Sequence, residues 1–310
     1  MVTYYNTIDD KLVETDSLEK GCWVCMVHPD DAELMDVSRK TGAEPDMLRA
    51  PLDPEERARL ETEGGVSLIL VDIPTIEVDG KDFVYSTIPL GILMTENHLI
   101  TVCLKDSHIM RDFAQNRVKG FYTYKKTRFI LQILYRNSTR YLQYLRQIDK
   151  KTTAVENQLE KTLRNQELMQ LMRLEKSLVF FATSLKSNEN VLERLLRSDL
   201  IRRFPEDEDL LEDVIVENKQ AIEMCTIYRD ILSSTMDGFS SVISNNANDT
   251  MKVLTSLTLV LSIPTLIASI WGMNVAVPFE HNVWGFWALL GVSLVASIIS
   301  IIILSRRKML

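Results

Sequence analysis

Residues 251–274 read MKVLTSLTLVLSIPTLIASIWGMN, and this stretch decides how the 310-residue chain is built. From Val253 to Trp271 it carries no charge. At a rise of about 1.5 Å per residue that run spans roughly 28 Å, close to the hydrocarbon thickness of a bilayer. It is not uniformly apolar. Thr258, Ser262, Thr265, Ser269 and Gly272 recur at alternating steps of four and three, which places them on one face of a helix. A helix facing lipid on every side gains nothing from hydroxyls. One that lines water, or packs on a sister helix, can use them.

Downstream, Val275–Asn282 contains Pro278 and cannot comfortably continue the helix. Val283–Leu304 is again free of charge and forms a second candidate span, with Trp284 and Trp287 near its start. Glu280 is the single charge between Val253 and Leu304. Lys252 precedes the first span and Arg306-Arg307-Lys308 follows the second, while the connecting loop has no Lys or Arg. The positive-inside rule therefore places both chain ends in the cytoplasm and the loop outside, in an inner or plasma membrane.

Upstream, the polar stripe continues. Asp237, Ser241, Ser244, Asn248 and Met251 keep the same steps and lead into Leu254/Thr255 and Thr258. From about Pro205 to Trp271 no convincing stop occurs, so one continuous helix of roughly 65 residues is expected to join the soluble and membrane parts. Leu211, Val214, Ala221, Cys225, Tyr228, Leu232, Phe239 and Val242 follow three-four spacing, the pattern of a helix packed along its length. Residues 114–263 are interrupted only by Gly120, Pro205 and Gly238, and predict two or three long helices. The acidic run Glu206–Asp209 suits a helix start. A surface that senses or concentrates cations is the alternative reading of that run.

The first 110 or so residues read as a mixed α/β domain. GCWVCMV (21–27) predicts a buried strand. Asp30 and Asp31 open a helix that runs to about Lys40 and stops at Gly42. Pro54-Glu55-Glu56 predicts a short charged helix ending near Gly64-Gly65. Strands follow over Val66–Ile76, Phe83–Thr95 and His98–Cys103, with Asp79-Gly80 and Glu96-Asn97 as turns. The start, MVTYYNTIDDKLVE, has neither a basic nor an apolar leader region, so no cleaved signal is expected.

Several functions are excluded by what the sequence carries. The net charge of −8 gives no basic surface for nucleic acid. There is no Gly-rich phosphate loop, no H-E-x-x-H and no G-x-S-x-G, so no enzyme is expected. Cys22 and Cys25 lie three apart in a predicted strand and point to opposite faces, which suits neither a redox pair nor a zinc site. His28, His98 and His108 are isolated and read as surface or turn residues. With two spans per chain, a pathway would require several copies around an axis. Hydroxyls that merely glue spans together, in a membrane-anchored sensor or scaffold, are the alternative.

The first span closes with Gly272-Met273-Asn274 and is preceded by Asn248-x-x-Met251-Lys252-x-Leu254-Thr255. These motifs, together with the order of domain, stalk, two spans and basic tail, resemble the CorA-type magnesium transporter family. The motif match covers about residues 237–274; the architectural match covers the whole chain. The resemblance implies an α/β cytoplasmic domain (1–113), a long-helix stalk (114–250) and a membrane domain (251–310), assembled as a homopentameric funnel in lipid. Within the membrane domain it implies a first span over about 251–271, an outer loop over 272–282 and a second span over about 283–304.

It further implies a channel-like path for Mg2+, with Co2+ or Ni2+ also carried. Gly272, Met273 and Asn274 would form the selectivity filter, with Asn274 ringing the outer mouth and Gly272 allowing the turn that aims it. Amide oxygens can hold a hydrated Mg2+, which sheds water reluctantly, yet release it. Asn248 matches a polar ring, Met251 and Leu254 an apolar constriction, Thr265 a pore-facing threonine and Asp237 an acidic ring. Thr258, Ser262 and Ser269 complete the lining. Asp213, with Asp79 as its partner across an interface, matches a regulatory Mg2+ site that closes the channel.

The sequence departs from the family's pattern in its outer loop, Val277-Pro278-Phe279-Glu280, where Glu280 keeps one acid. Trp271 replaces the usual Tyr or Phe, Pro264 comes one residue late, and Ser262 stands where Met is familiar. A same-family carrier of Zn2+, Ni2+ or Co2+ remains an alternative. No His or Cys lies on the stripe, which disfavours a soft-metal filter.

Overall fold

The computed structural model of the chain describes residues 1–79, 82–162, 165–198, 200, 205–273 and 283–307. It falls into two compact units, Met1–Ser234 and Thr235–Leu310.

The first unit is built on one seven-stranded sheet. Its strands are β1 (Val2–Ile8), β2 (Lys11–Thr15), β3 (Trp23–Val27), β4 (Arg59–Glu63), β5 (Val66–Asp79), β6 (Asp82–Met94) and β7 (Leu99–Cys103). Their spatial order is β2-β1-β3-β7-β6-β5-β4. Among the described residues β3 and β7 pair in parallel and the other pairs are antiparallel. The long β5–β6 ladder closes at Asp79↔Asp82. This agrees with a tight hairpin there, although Gly80 of the expected turn lies outside the described residues.

Both faces of the sheet are covered, which explains why its central strands read as continuous apolar runs. On one face Val24, Met26, Leu68, Leu93, Ile100 and Val102 pack with Leu34, Val37, Met47 and Leu48 of α1 (Asp31–Thr41) and α2 (Pro45–Arg49). On the other, Trp23, Ile69, Val71, Leu90 and Ile92 join Phe113, Phe129, Leu134 and Leu195. These come from α3 (His108–Ala114), α4 (Lys126–Thr162) and α5 (Asn165–Arg197). Trp23 anchors that side. Its ring stacks on Tyr5 at 4.8 Å and meets Phe129 edge-on at 5.2 Å, and its Nε1 donates to Thr101 Oγ1 at 2.9 Å.

The capping signals act as expected on α1. Asp30 Oδ1 accepts from the Glu33 amide at 2.7 Å, and Glu33 Oε2 accepts from the Asp30 amide at 3.0 Å. Gly42 ends the helix at φ 72, where a side chain would be strained.

Three sequence expectations need correction. Residues 54–65 form no helix: after a turn at Asp53–Glu55, Arg59–Glu63 is an edge strand paired with Val66–Leu70. Gly64 and Gly65, at φ 57 and 83, turn that hairpin instead of ending a helix. His98 does close the turn at Glu96-Asn97, its carbonyl accepting from the Thr95 amide at 3.0 Å, but at 8% exposure it is not on the surface. Along the packed stripe, Leu211, Val214, Ala221, Cys225 and Leu232 are buried, but Val242 is exposed in the single chain.

Candidate functional site

The helix that carries the stripe, α6, runs without interruption from Pro205 to Trp271, with Pro264 inside it. Its first turns belong to the soluble core: Leu211 and Val214 are fully buried beside Leu195 of α5. Further along, Asn218 Nδ2 donates to Leu185 O at 3.3 Å and Cys225 Sγ to Leu178 O at 3.2 Å. A second apolar helix, α7, runs from Val283 to Arg306. Both α6 and α7 are long and apolar enough to cross a membrane.

Every described residue of the expected lining lies on the solvent-exposed surface of the single chain. Asp237, Asn248, Met251, Leu254, Thr258, Ser262, Thr265 and Ser269 are all exposed. Large apolar side chains such as Met251 at 62% and Leu254 at 58% are therefore available to partners outside this chain. Ser256, a hydroxyl the periodicity did not single out, is by contrast fully buried.

The hydroxyls have a defined polarity. Thr258 Oγ1 donates to Leu254 O at 2.8 Å, Ser262 Oγ to Thr258 O at 2.7 Å and Thr265 Oγ1 to Leu261 O at 2.9 Å. Ser241 Oγ does the same to Asp237 O at 3.1 Å. Each hydroxyl spends its one proton on its own helix, so the oxygen turned outward is an acceptor. A row of acceptors suits the outward-pointing hydrogens of water around a cation. It does not suit an anion.

At the end of α6 the Gly272 amide donates to Ala268 O at 2.9 Å, and the Met273 amide to Ile270 O at 3.4 Å. Gly272 is not among the glycines at positive φ. A Cβ there would stand 3.3 Å from Ala268 O, which is tight but not prohibitive. Asn274 and Glu280 lie outside the described residues. Asp213 is exposed on α6 between the buried Leu211 and Val214. Asp79 ends the β5 ladder opposite Asp82, and its side chain is likewise outside the described set.

Among the described residues no group of three or more His, Cys, Asp or Glu side chains could hold a metal. Burial pushes Cys25 and Cys225 up to about 12 and Cys103 up to about 11, so all three stay protonated. One helix supplies one oxygen per level, so any cation path along this stripe needs several copies of it.

The sequence profile described as CorA-like Mg2+ transporter protein matches residues 19–307. The chain belongs to this family. The "Cobalt/magnesium transport protein CorA" of Methanocaldococcus jannaschii is 29% identical over 294 residues, covering 92% of this chain and 90% of that protein. The "Magnesium transport protein CorA" of Wolinella succinogenes is 31% identical over 144 residues, covering 46% of this chain and 44% of its own. In structure, the complete CorA magnesium transporter of M. jannaschii superposes with a TM-score of 0.82 at 25% identity, over 98% of this chain and 96% of that one. The α/β domain, the long stalk helix and the apolar C-terminal helix are thus those of CorA proteins. Membership makes the chain a divalent-cation transporter of membranes, rather than an enzyme in the usual sense.

Proposed function

We propose that the chain carries hydrated Mg2+ through an axial pore formed by five copies of α6. The observation that carries this reading is the polarity of the stripe: Thr258, Ser262 and Thr265 present acceptor oxygens outward on one exposed helix face. Residues 251–310 form the conducting part, with Gly272, Met273 and Asn274 as the filter. Asn274 holds the ion through its waters at the outer mouth, and Glu280 attracts cations to it. Met251 and Leu254 form the apolar constriction that closes by dewetting, with Asn248 and Asp237 below it. The CorA relative from M. jannaschii is named for cobalt as well as magnesium, so Co2+ is expected as a second cargo.

In this reading α6 and α7 span an inner or plasma membrane with both chain ends cytoplasmic, and residues 1–113 and 114–250 regulate. Asp213 of one copy and Asp79 of the next repel until Mg2+ bridges them, which favours the closed state at high internal Mg2+. Divalent uptake by vesicles holding the purified protein tests the path. Wild type should take up Mg2+ and Asn274→Ala should change divalent flux; absence of both would reject it. Native mass spectrometry should give five copies. Asp213→Lys should weaken closure by internal Mg2+, and unchanged inhibition would remove that site from the scheme.

A further inference from the structure

We infer that four arginines on the first unit form a binding site for an anion bearing clustered phosphates, such as a nucleoside triphosphate or inorganic tripolyphosphate. Arg57, two residues before β4, and Arg59, its first residue, line one cavity of about 490 Å³ with Arg194 and Arg197 of the last turn of α5. That volume falls within the range of small-molecule sites, roughly 300–1,000 Å³. The two pairs lie some 135 positions apart in sequence, and packing of α5 on the β4–β5 edge brings them together. The site is separate from the stripe on α6 and does not depend on what that stripe conducts.

The charges of this cluster are largely unspent. Arg59 is held by Glu56 at 2.5 Å and Glu61 at 2.9 Å. The guanidinium groups of Arg57, Arg194 and Arg197 make no ion pair or hydrogen bond among the described residues. All three are exposed. Elsewhere in this chain of net charge −8, arginines such as Arg49, Arg111 and Arg140 each meet an aspartate. Arg194 and Arg197 near a helix C-terminus also offset the helix dipole. That role explains neither Arg57 nor the concavity between them.

The chemistry selects phosphate. A planar guanidinium donates two parallel hydrogen bonds to a phosphate, and three partner-free forks can engage more than one phosphate at once. A single phosphate or sulfate satisfies only part of the cluster. Glu193 is the one acid that lines the cavity among the described residues, and it opposes an anion. Asn190 adds an amide donor at the rim. No aromatic ring lines the cavity among the described residues, so a base is not expected to be read, and tripolyphosphate should bind about as well as ATP.

The test uses the full chain purified in detergent, with isothermal titration calorimetry in metal-free buffer at fixed salt. Tripolyphosphate and ATP should bind with similar Kd, and orthophosphate far more weakly. Arg57→Gln, Arg194→Gln and Arg197→Gln should each weaken tripolyphosphate by about tenfold, the factor one charge-assisted bond accounts for. Arg39→Gln, on α1, should leave Kd unchanged. Glu193→Gln should tighten binding, a gain that misfolding cannot imitate. A soluble short-chain phosphoinositide bearing two ring phosphates serves as the lipid headgroup arm; if it alone bound, the site would read lipid and the soluble-anion assignment would fail. No saturable binding of tripolyphosphate, equal affinity for orthophosphate, or unchanged affinity in the three Gln variants would each overturn the proposal.

Discussion

Asn188 of α5 brackets the backbone of Asp72 on β5: its Oδ1 accepts from the Asp72 amide at 2.8 Å and its Nδ2 donates to the Asp72 carbonyl at 2.8 Å. The need for this clamp arises from the sheet. β4 pairs with β5 only as far as Arg59↔Leu70, so the peptide at Asp72 has no strand beyond it on that side. Asn137 Nδ2 and Tyr141 OH of α4 also reach the Asp72 carbonyl, at 2.9 and 3.2 Å. Two long helices are thereby registered on the strand by hydrogen bonds as well as by packing. The Asp72 carboxyl, itself pushed up by burial, is opposed in that shift by a hydrogen bond from Ser184.

Asn188→Leu should therefore be costly. It keeps the volume but strands a buried donor and leaves the carbonyl with fewer partners, at about 1–3 kcal/mol for each unsatisfied group. A loss of about 1–3 kcal/mol is expected, from the Asp72 amide alone, because Asn137 and Tyr141 still donate to the carbonyl. Urea unfolding of the full chain, followed by the fluorescence of Trp23, should show a lower midpoint with an unchanged slope. A midpoint equal to wild type would mean that water replaces the clamp.

Gly91 yields a second stability prediction. It sits in mid-β6, opposite Leu70 on one side and Val102 on the other. A Cβ added there would stand 2.1 Å from Cγ of Pro51, which belongs to the short 3₁₀ turn Ala50–Leu52. The proline ring is rigid and fully packed, so the clash must move backbone. Gly91→Ala should destabilise by about 1–3 kcal/mol, the usual cost of overpacking. Pairing it with Pro51→Ala, which removes the struck atom, should recover part of that loss in a double-mutant cycle.

How much of this was legible in the sequence depends on the range of the forces involved. Helix α6 was readable because its signal is periodic and local, repeated from Leu211 to Ser269. The capping box of Asp30 and Glu33 was readable for the same reason. β4 was not. Pro54-Glu55-Glu56 has the local chemistry of a helix start, and only pairing with Val66–Leu70 makes a strand of Arg59–Glu63. The Asn188–Asp72 clamp and the arginine cavity join residues more than 100 positions apart, and no local pattern announces such a meeting. β1 and β2 went unread because NTIDDKLVE looks like a polar start; Asp9 and Asp10, both at positive φ, turn it into a hairpin. On the candidate pathway, spacing identified the face, but which way each hydroxyl points its proton emerges only from the backbone carbonyl four residues back.

His98 gives a pH dependence whose sign can be worked out. It is buried, and its Nδ1 has no hydrogen-bond partner. Burial, and secondarily the Lys126 charge, hold its pKa below the ordinary 6.5. Below 6.5 the unfolded chain takes up a proton that the folded chain resists, so folding stability falls as pH drops through that window. Stability from this group is complete above 6.5. Urea midpoints at pH 8 and pH 5.5 should differ more for wild type than for His98→Leu. Parallel pH profiles would show that another group carries the dependence.

Ser262 is where the proposed pathway departs most from the family's pattern, and its substitution separates two physical roles. The hydroxyl donates to Thr258 O at 2.7 Å and is exposed on the stripe, so it offers both small size and an outward acceptor. If width governs flux, Ser262→Ala should conduct like wild type, while Ser262→Met should conduct several-fold less through a narrower and drier passage. If the acceptor governs flux, both variants should lose conduction, and Ser262→Thr, which keeps the oxygen, should retain it. The stripe's polarity favours the second outcome, because the neighbouring Thr258 and Thr265 on this face also turn their oxygens outward. Mg2+ flux into vesicles, compared at equal protein incorporation, reads the difference. A Ser262→Met protein with wild-type flux would place this residue off the conducting path and remove the middle of the helix face from the proposed lining.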